Sequence, residues 1–323
     1  MLLTVVALVG SDAALAQGRY YLTLTGASPG GLWSLLGTGI NSAVVHQFPG
    51  SAVTYQTSGG GLANVVLLDE ARADLGIVHN VELRTALLGN PPFRRRYTNL
   101  RAIAYLYNWA PMQWTVSRRF AERYGLVTSD DLVAVKPPVR FGVHTRGNMV
   151  YELNRQILAA HGVSFDDVEE WGGRIVVVSQ NEMADLLQDR RLDMMGNGVF
   201  APYARIVQTG AALDLSMLSL SDQVIEAVSQ ATGAEAYTIP AGTYEWLDRD
   251  INTVALGAAL VATDELSEQV AYEVTRALVE NVDQIRRVHT SMRALSPELM
   301  GSLRVIPYHP GALRYYREAG LVD

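Results

Sequence analysis

Three short loops rich in glycine and hydroxyl side chains each run directly into a helical pattern: Ser28-Pro29-Gly30-Gly31, Thr57-Ser58-Gly59-Gly60-Gly61 and His144-Thr145-Arg146-Gly147-Asn148. Apolar, β-rich stretches precede them at 20–25, 52–56 and 139–143. A strand that stops in such a loop and restarts as a helix is the building unit of a mostly parallel, doubly wound α/β sheet. The same junction leaves backbone N–H groups unpaired at the positive end of a helix dipole, which makes a socket for a carboxylate or another anion. One such loop is explained by a tight turn. Three point to a cleft holding a small anionic solute.

Helical spacing at 32–45, 62–72, 150–160 and 182–188, with further strands at 74–78 and 174–178, extends this order over both halves of the chain. In such sheets ligands bind beyond the C-terminal ends of the strands, where these loops fall. An internal echo supports two similar lobes: Leu67-Leu68-Asp69-Glu70-Ala71-Arg72-Ala73-Asp74 resembles Leu186-Leu187-Gln188-Asp189-Arg190-Arg191-Leu192-Asp193. Between the halves, 100–117 is apolar and aromatic, and Pro111 interrupts it. It reads as a strand leaving the first lobe, a crossing, and a strand opening the second. The return crossing is expected between 238 and 251, punctuated by Pro240 and Gly242. A core strand over 251–262, a long amphipathic helix over 266–285 and a last helix over 312–318 complete the reading. The expected lobes are 17–107 with 240–323, and 108–239.

A hydrophobic content of 49% with 18% charged residues belongs to a folded chain with a sizeable core. A formal charge of −7 argues against a nucleic-acid partner, since no basic field exists to displace counterions. Arg94-Arg95-Arg96 follows Asn90-Pro91-Pro92 and reads as a solvated loop. With no cysteine, disulfides, thiolate metal sites and cysteine nucleophiles are excluded. Residues 2–9 are apolar, and Ala14-Leu15-Ala16 before Gln17 fits a small-x-small cleavage site, so 1–16 read as a signal-peptide remnant without its basic start. A buried first strand is the alternative. An exported, periplasmic protein is expected, and none of its later segments would span a membrane.

Catalytic patterns fare poorly. There is no Gly-x-Ser-x-Gly elbow, Walker loop or His-Glu-x-x-His, and glycines 30, 31, 37 and 39 lack dinucleotide-binding spacing. The histidines at 46, 79, 144, 161, 289 and 309 form no pair at metal-ligand spacing, so neither metal nor cofactor is expected. Asp130-Asp131, Asp166-Asp167 and Glu169-Glu170 read as helix starts, the first two capped by Ser129 and Ser164. His79 and Asn80, His144, and Asn197-Gly198 each end an apolar strand and face the same crevice. Arg146 is the candidate cation, able to grip a carboxylate with two parallel bonds. Trp33, Trp109 and Phe200 are candidate apolar walls. The expected ligand-binding set is therefore Ser28, Gly30, Gly31, Trp33, Thr57, Ser58, Gly59, His79, Asn80, Trp109, His144, Thr145, Arg146, Gly147, Asn148, Asn197 and Phe200. Two rivals stand beside a binding protein: a sensory module on the same fold, and an enzyme using His79 and His144 as acid and base.

Several stretches in this order resemble the TAXI solute receptors, the extracytoplasmic binding subunits of one class of TRAP transporters. They are Thr25-Gly26 with Gly30-Gly31; Thr57-Ser58-Gly59-Gly60 with Asn64; Ala73-Asp74-Leu75-Gly76-Ile77-Val78; Leu100-Arg101-Ala102-Ile103-Ala104; and Ile239-Pro240-Ala241-Gly242-Thr243-Tyr244. The closing Pro307-Tyr308-His309-Pro310-Gly311-Ala312 with Tyr315-Tyr316 is similar to that family's tail. The resemblance implies a two-lobed type II periplasmic binding protein with hinge strands between the lobes. It would act as a monomer that captures glutamate-like amino acids or related organic acids and hands them to a membrane permease. Two departures imply a larger, less polar side of the pocket. Gly147-Asn148-Met149-Val150 stands where the family has Gly-Ser-Gly-Thr, and His79 where it often has glutamine.

Overall fold

The computed structural model describes residues 18–27, 29, 31–146 and 148–323. The apolar start and its expected cleavage site, together with Ser28, Gly30 and Gly147, lie outside the described residues. Chain order begins β1 (Tyr21–Thr25), α1 (Leu32–Gln47), β2 (Ala52–Gln56), α2 (Gly61–Asp69), β3 (Leu75–His79) and α3 (Asn80–Leu88). The long strand β4 (Leu100–Ser117) follows, then α4 (Arg118–Tyr124) and α5 (Ser129–Val135). Next come β5 (Arg140–Val143), α6 (Met149–Ala160), α7 (Phe165–Glu170), β6 (Arg174–Val177), α8 (Gln180–Gln188) and β7 (Met194–Gly198). After α9 (Ala204–Ala212), β8 (Leu215–Leu218) and α10 (Asp222–Thr232) come β9 (Glu235–Ile239) and the second long strand, β10 (Ile251–Thr263). The tail holds α11 (Glu268–Glu280), α12 (Val282–Arg286), a 3-10 turn at Thr290–Ala294, α13 (Pro297–Met300) and α14 (Pro310–Glu318).

The strands line up as β2-β1-β3-β10-β4-β7-β5-β6, with β8 added to β4 and β9 to β10. Two parallel triplets, β2-β1-β3 and β7-β5-β6, therefore flank the antiparallel pair β10 and β4. Each triplet puts its first strand in the middle, so its two crossovers run in opposite directions and place helices on both faces. In the first, α1 packs on one face with Leu24 and Ile77, while Val65 and Leu68 of α2 pack on the other with Val78. In the second, α6 packs with Phe141 and Met194, and α8 with Met195 on the opposite face. The α/β class expected of the chain is the one it adopts.

The internal echo is a shared piece of geometry. Ala71 and Arg190, at the same place in the two segments, both take positive φ, 54° and 58°. In each copy the following aspartate reaches back to the first strand of its triplet. Asp74 accepts from the Thr23 N–H at 2.7 Å, and Asp193 from the Arg140 N–H at 2.9 Å. The repeat thus marks where each triplet's outer helix re-enters its third strand.

Four expectations need correction. Pro111 does not break 100–117, which is one strand of 18 residues. It sits where β4 changes neighbours, with β10 up to the Ala255–Pro111 pair and β7 from Met112 onward, so the missing N–H falls at a changeover. The return crossing comes later than expected: Tyr244, Leu247 and Ile251 pack with Met183, Met195 and Ile206 of the second half. Tyr203 N–H donates to the Tyr244 hydroxyl, which in turn donates to Gln113. The chain returns inside β10, which pairs with β9 through Ala255 and with β3 from Ala258. The helix expected over 266–285 is two, broken at Asn281, whose amide donates to Gln47 and to the Ala277 carbonyl. Finally, Thr128 rather than Ser129 caps α5, and Glu169-Glu170 end α7, whose start is capped by Ser164 as expected.

Three histidines make the fold sensitive to mild acid. Burial lowers the pKa of His144, His161 and His309 below the ordinary imidazole range, and in His161 Asp130 opposes that only partly. At His309 burial outweighs the Leu266 carbonyl, 2.8 Å from Nε2, which favours the charged ring; Nδ1 accepts the Gly311 N–H, which suits the neutral one. As pH falls through about 6.5, the unfolded chain takes up these protons before the native one does. Stability should therefore be full above that value and decline toward pH 5. Carboxylates held low, such as Asp131 and Asp167, add their share only in stronger acid. Thermal midpoints at pH 7.5, 6.5 and 5.5 check this; a flat series would contradict it.

Candidate functional site

The strand ends of the first half are tied together by one buried side chain. Asn64, on α2, donates through Nδ2 to the carbonyls of Gly26 and Ile77, both at 2.7 Å. Its Oδ1 accepts from the Thr25 hydroxyl at 2.9 Å. Ser58 Oγ lies 2.6 Å from Gly26 O and 2.5 Å from Asn64 Oδ1, and accepts the Gly60 N–H. The hydroxyl expected to face a solute is thus a strut that joins the loops after β1 and β2 to the end of β3. Thr57 and Gly59 remain exposed at the loop's tip.

The start of α2 is less open to anions than its glycines imply. Gly60 has φ +101°, and a β-carbon on Gly61 would stand 1.6 Å from Glu82 Oε2. That buried carboxylate accepts from the His79 N–H at 3.0 Å and lies 3.1 Å from His79 Nδ1, closing a capping box at the start of α3. Sequence reasoning passed over Glu82; its signal was a glutamate three residues after the strand end. His79 also packs on Trp33 with ring centroids 4.7 Å apart. Asn80 is committed elsewhere: Oδ1 accepts from Val81 and Gly257, and Nδ2 donates to Gly233 O. It tethers the end of β3 to the crossing strand and to the cap of α10.

Aromatic rings from both halves meet next to His79. Trp33 Nε1 donates to the Tyr107 hydroxyl at 3.0 Å. Phe200, just past β7, stands edge-on to Tyr107 at 4.9 Å and is stacked at 6.3 Å against Trp109. Its other neighbour is His289, at 5.7 Å. Tyr107 and Trp109 alternate along β4 and so share a face, a period-two signal that could have added Tyr107 to the expected set. Burial holds the Tyr107 hydroxyl well above the phenol range, so it stays protonated.

Asn197 is 1% exposed, opposite Gln113 on β4, and neither of its amide atoms has a partner among the described residues. The buried Nε1 of Trp109 also has no partner among the described residues. Buried polar atoms are nearly always paired, so these are the groups a solute could satisfy. In the loop after β5, His144 Nδ1 accepts the Thr145 N–H at 2.8 Å, and burial lowers the pKa of its ring, which favours the neutral form. Asn148 caps α6 by accepting from Val150 N–H. Arg146 does not join this group. It lines a cavity of about 350 Å³ with Tyr151, Arg155, Phe165, Asp166 and Glu169, among residues all from the second half. The loop turns its side chain toward α6 and α7 instead.

Among the described residues no three His, Cys, Asp or Glu side chains gather as a metal site, and no helix is long and apolar enough to cross a membrane.

A family model described as the NMT1-like family matches residues 24–320. Among solved structures, the fold is similar to that of a protein from Bordetella bronchiseptica RB50 at 14% identity. That match covers 94% of this chain and 98% of that one, with a TM-score of 0.56. MatC from Rhodopseudomonas palustris, with bound malate, is similar at 12% identity, 94% and 99% coverage and TM-score 0.53. A TctC solute binding protein from Polaromonas is similar at 14% identity, 85% and 88% coverage and TM-score 0.51. The fold is the mixed α/β architecture that these structures share.

Proposed function

Because the chain belongs to the NMT1-like family, we propose that it is an extracytoplasmic solute receptor of the TAXI class of TRAP transporters. It captures a small carboxylate between two lobes and delivers it to a membrane permease. The observation that carries this reading is the meeting of aromatic rings from both halves, Tyr107, Trp109 and Phe200, where the buried Trp109 Nε1 has no partner among the described residues. A malate-bound MatC and a TctC solute binding protein share the fold, which supports a small-acid ligand.

The first lobe comprises 17–107 and the chain after the crossing in β10; the second runs from 108 to that crossing. β4 and β10 are the hinge. A solute that touches both lobes favours closure by whatever free energy it gains only in the closed state. Its carboxylate is held by backbone N–H groups and neutral side chains rather than by Arg146, and its body lies on Trp109 and Phe200. Micromolar affinity, about −8 kcal/mol, is within reach of such a site. The enzyme alternative gains no support, since His79 is engaged by Glu82 and His144 by its own loop.

Native mass spectrometry of gently purified protein would identify a retained solute, and calorimetry would then measure it. Trp109→Ala and Phe200→Ala are each expected to weaken binding at least tenfold, about 1.4 kcal/mol. Arg146→Ala should leave affinity unchanged. Undiminished affinity in both aromatic variants would remove the interlobe site.

A further inference from the structure

A second cavity, of about 500 Å³, opens between α12 and the 3-10 turn that follows it, lined by Asp283, Arg286, Arg287, His289, Thr290 and Arg293. Three arginines and one aspartate thus line it, on a chain whose overall charge is −7. Arg286 is held in place: Nε donates to the Leu295 carbonyl at 2.7 Å and Nη1 to Asp283 at 3.0 Å. Arg287 and Arg293 are exposed and make no ion pair among the described residues. The sole acid is thus already used to orient one arginine, and two more cations have nothing to neutralise them. A concave site whose charges sum to a net positive value concentrates its field and draws counter-ions.

We propose that this cavity is a separate binding site for a compact anion carrying two or more negative charges, gripped by the planar guanidinium forks that suit carboxylate and oxyanion geometry. A small polycarboxylate and an inorganic oxyanion share this chemistry. His289 links the site to the rest of the molecule. Its Nδ1 accepts the Ser291 N–H, which fixes the turn, and its ring packs on Phe200 of the second half. An occupant would therefore sit beside the aromatic junction without depending on the solute reading of that junction.

Calorimetric titration of the full chain at low ionic strength, with citrate and with inorganic phosphate in separate runs, tests the site. Saturable one-site binding of either anion is expected, and whichever binds identifies the source. Arg287→Gln/Arg293→Gln should weaken it at least tenfold with an unchanged thermal midpoint, because both side chains are exposed. Two exposed arginines elsewhere, replaced as Arg94→Gln/Arg304→Gln, should leave it intact, as should Trp109→Ala. Failure of both anions to saturate, or an equal loss in the control pair, would overturn the proposal.

Discussion

Asn64→Ala is expected to cost roughly 3–5 kcal/mol of stability and to abolish solute binding with it. The side chain is fully buried and ties the end of β1 to β3, through the Thr25 hydroxyl, Gly26 O and Ile77 O. Alanine leaves two carbonyls and a hydroxyl without their partner in a site that water does not reach, and each orphan costs about 1–3 kcal/mol. Ser58 Oγ can still reach Gly26 O, so the loss stays below the sum of the separate terms. Asn64→Asp separates hydrogen bonding from volume. It keeps the shape and the acceptor toward Thr25 but replaces the NH2 group, which serves both carbonyls, by an oxygen that can donate to one of them at most. Aspartate should therefore be no better than alanine despite near-identical size. Urea unfolding of the three proteins measures this. A loss under about 1 kcal/mol in both variants would mean that the strand ends hold their geometry without the amide.

The strand and helix periods of both triplets were legible because each apolar run is short, β-rich and bounded by glycine or a capping hydroxyl. The echo at 67–74 and 186–193 told more than its low similarity promised, since it carries a backbone kink and an aspartate clamp as well as residues. The crossings were harder to read. Whether Pro111 ends a strand depends on which neighbour its missing N–H would have faced, and that is a tertiary fact. The site was legible as a region but not as a set of contacts. Strand-end polar residues were expected to face a solute, yet Ser58 and Asn80 turn inward to satisfy carbonyls and N–H groups of the frame itself. A loop sequence says that a side chain is near a cleft; it does not say which buried backbone group will claim it first. Arg146 shows a related limit: its loop position was readable, but the cavity that its long side chain lines was not.

Gly257→Ala is expected to destabilise the protein by about 2–3 kcal/mol and to impair closure around a solute more than its stability loss alone explains. The glycine lies inside β10 where the register against β4 shifts, between Leu256 and Ala258. Such an irregularity bends a strand locally. Added there, a β-carbon would stand 1.9 Å from the Tyr105 hydroxyl and 2.5 Å from Cζ of the same ring. Tyr105 cannot simply swing away. It is 2% exposed, and its hydroxyl donates to Glu235 Oε1 at 2.8 Å. Burial and that carboxylate hold the phenol far above its usual range, so it remains a donor. Asn108 donates to the other oxygen of Glu235 at 3.1 Å, and the Gly257 N–H itself donates to Asn80 at 3.1 Å. Both long strands and the ends of β3 and β9 are thus fastened within a few residues of one bare Cα, so whatever crowds that point strains the crossing as a whole. The double variant Gly257→Ala/Tyr105→Leu removes the obstructing ring and tests the cause. If the clash is responsible, the two changes together should cost at least 1 kcal/mol less than the sum of their separate costs. Strict additivity would mean that the glycine matters for backbone freedom alone and that Tyr105 is a bystander.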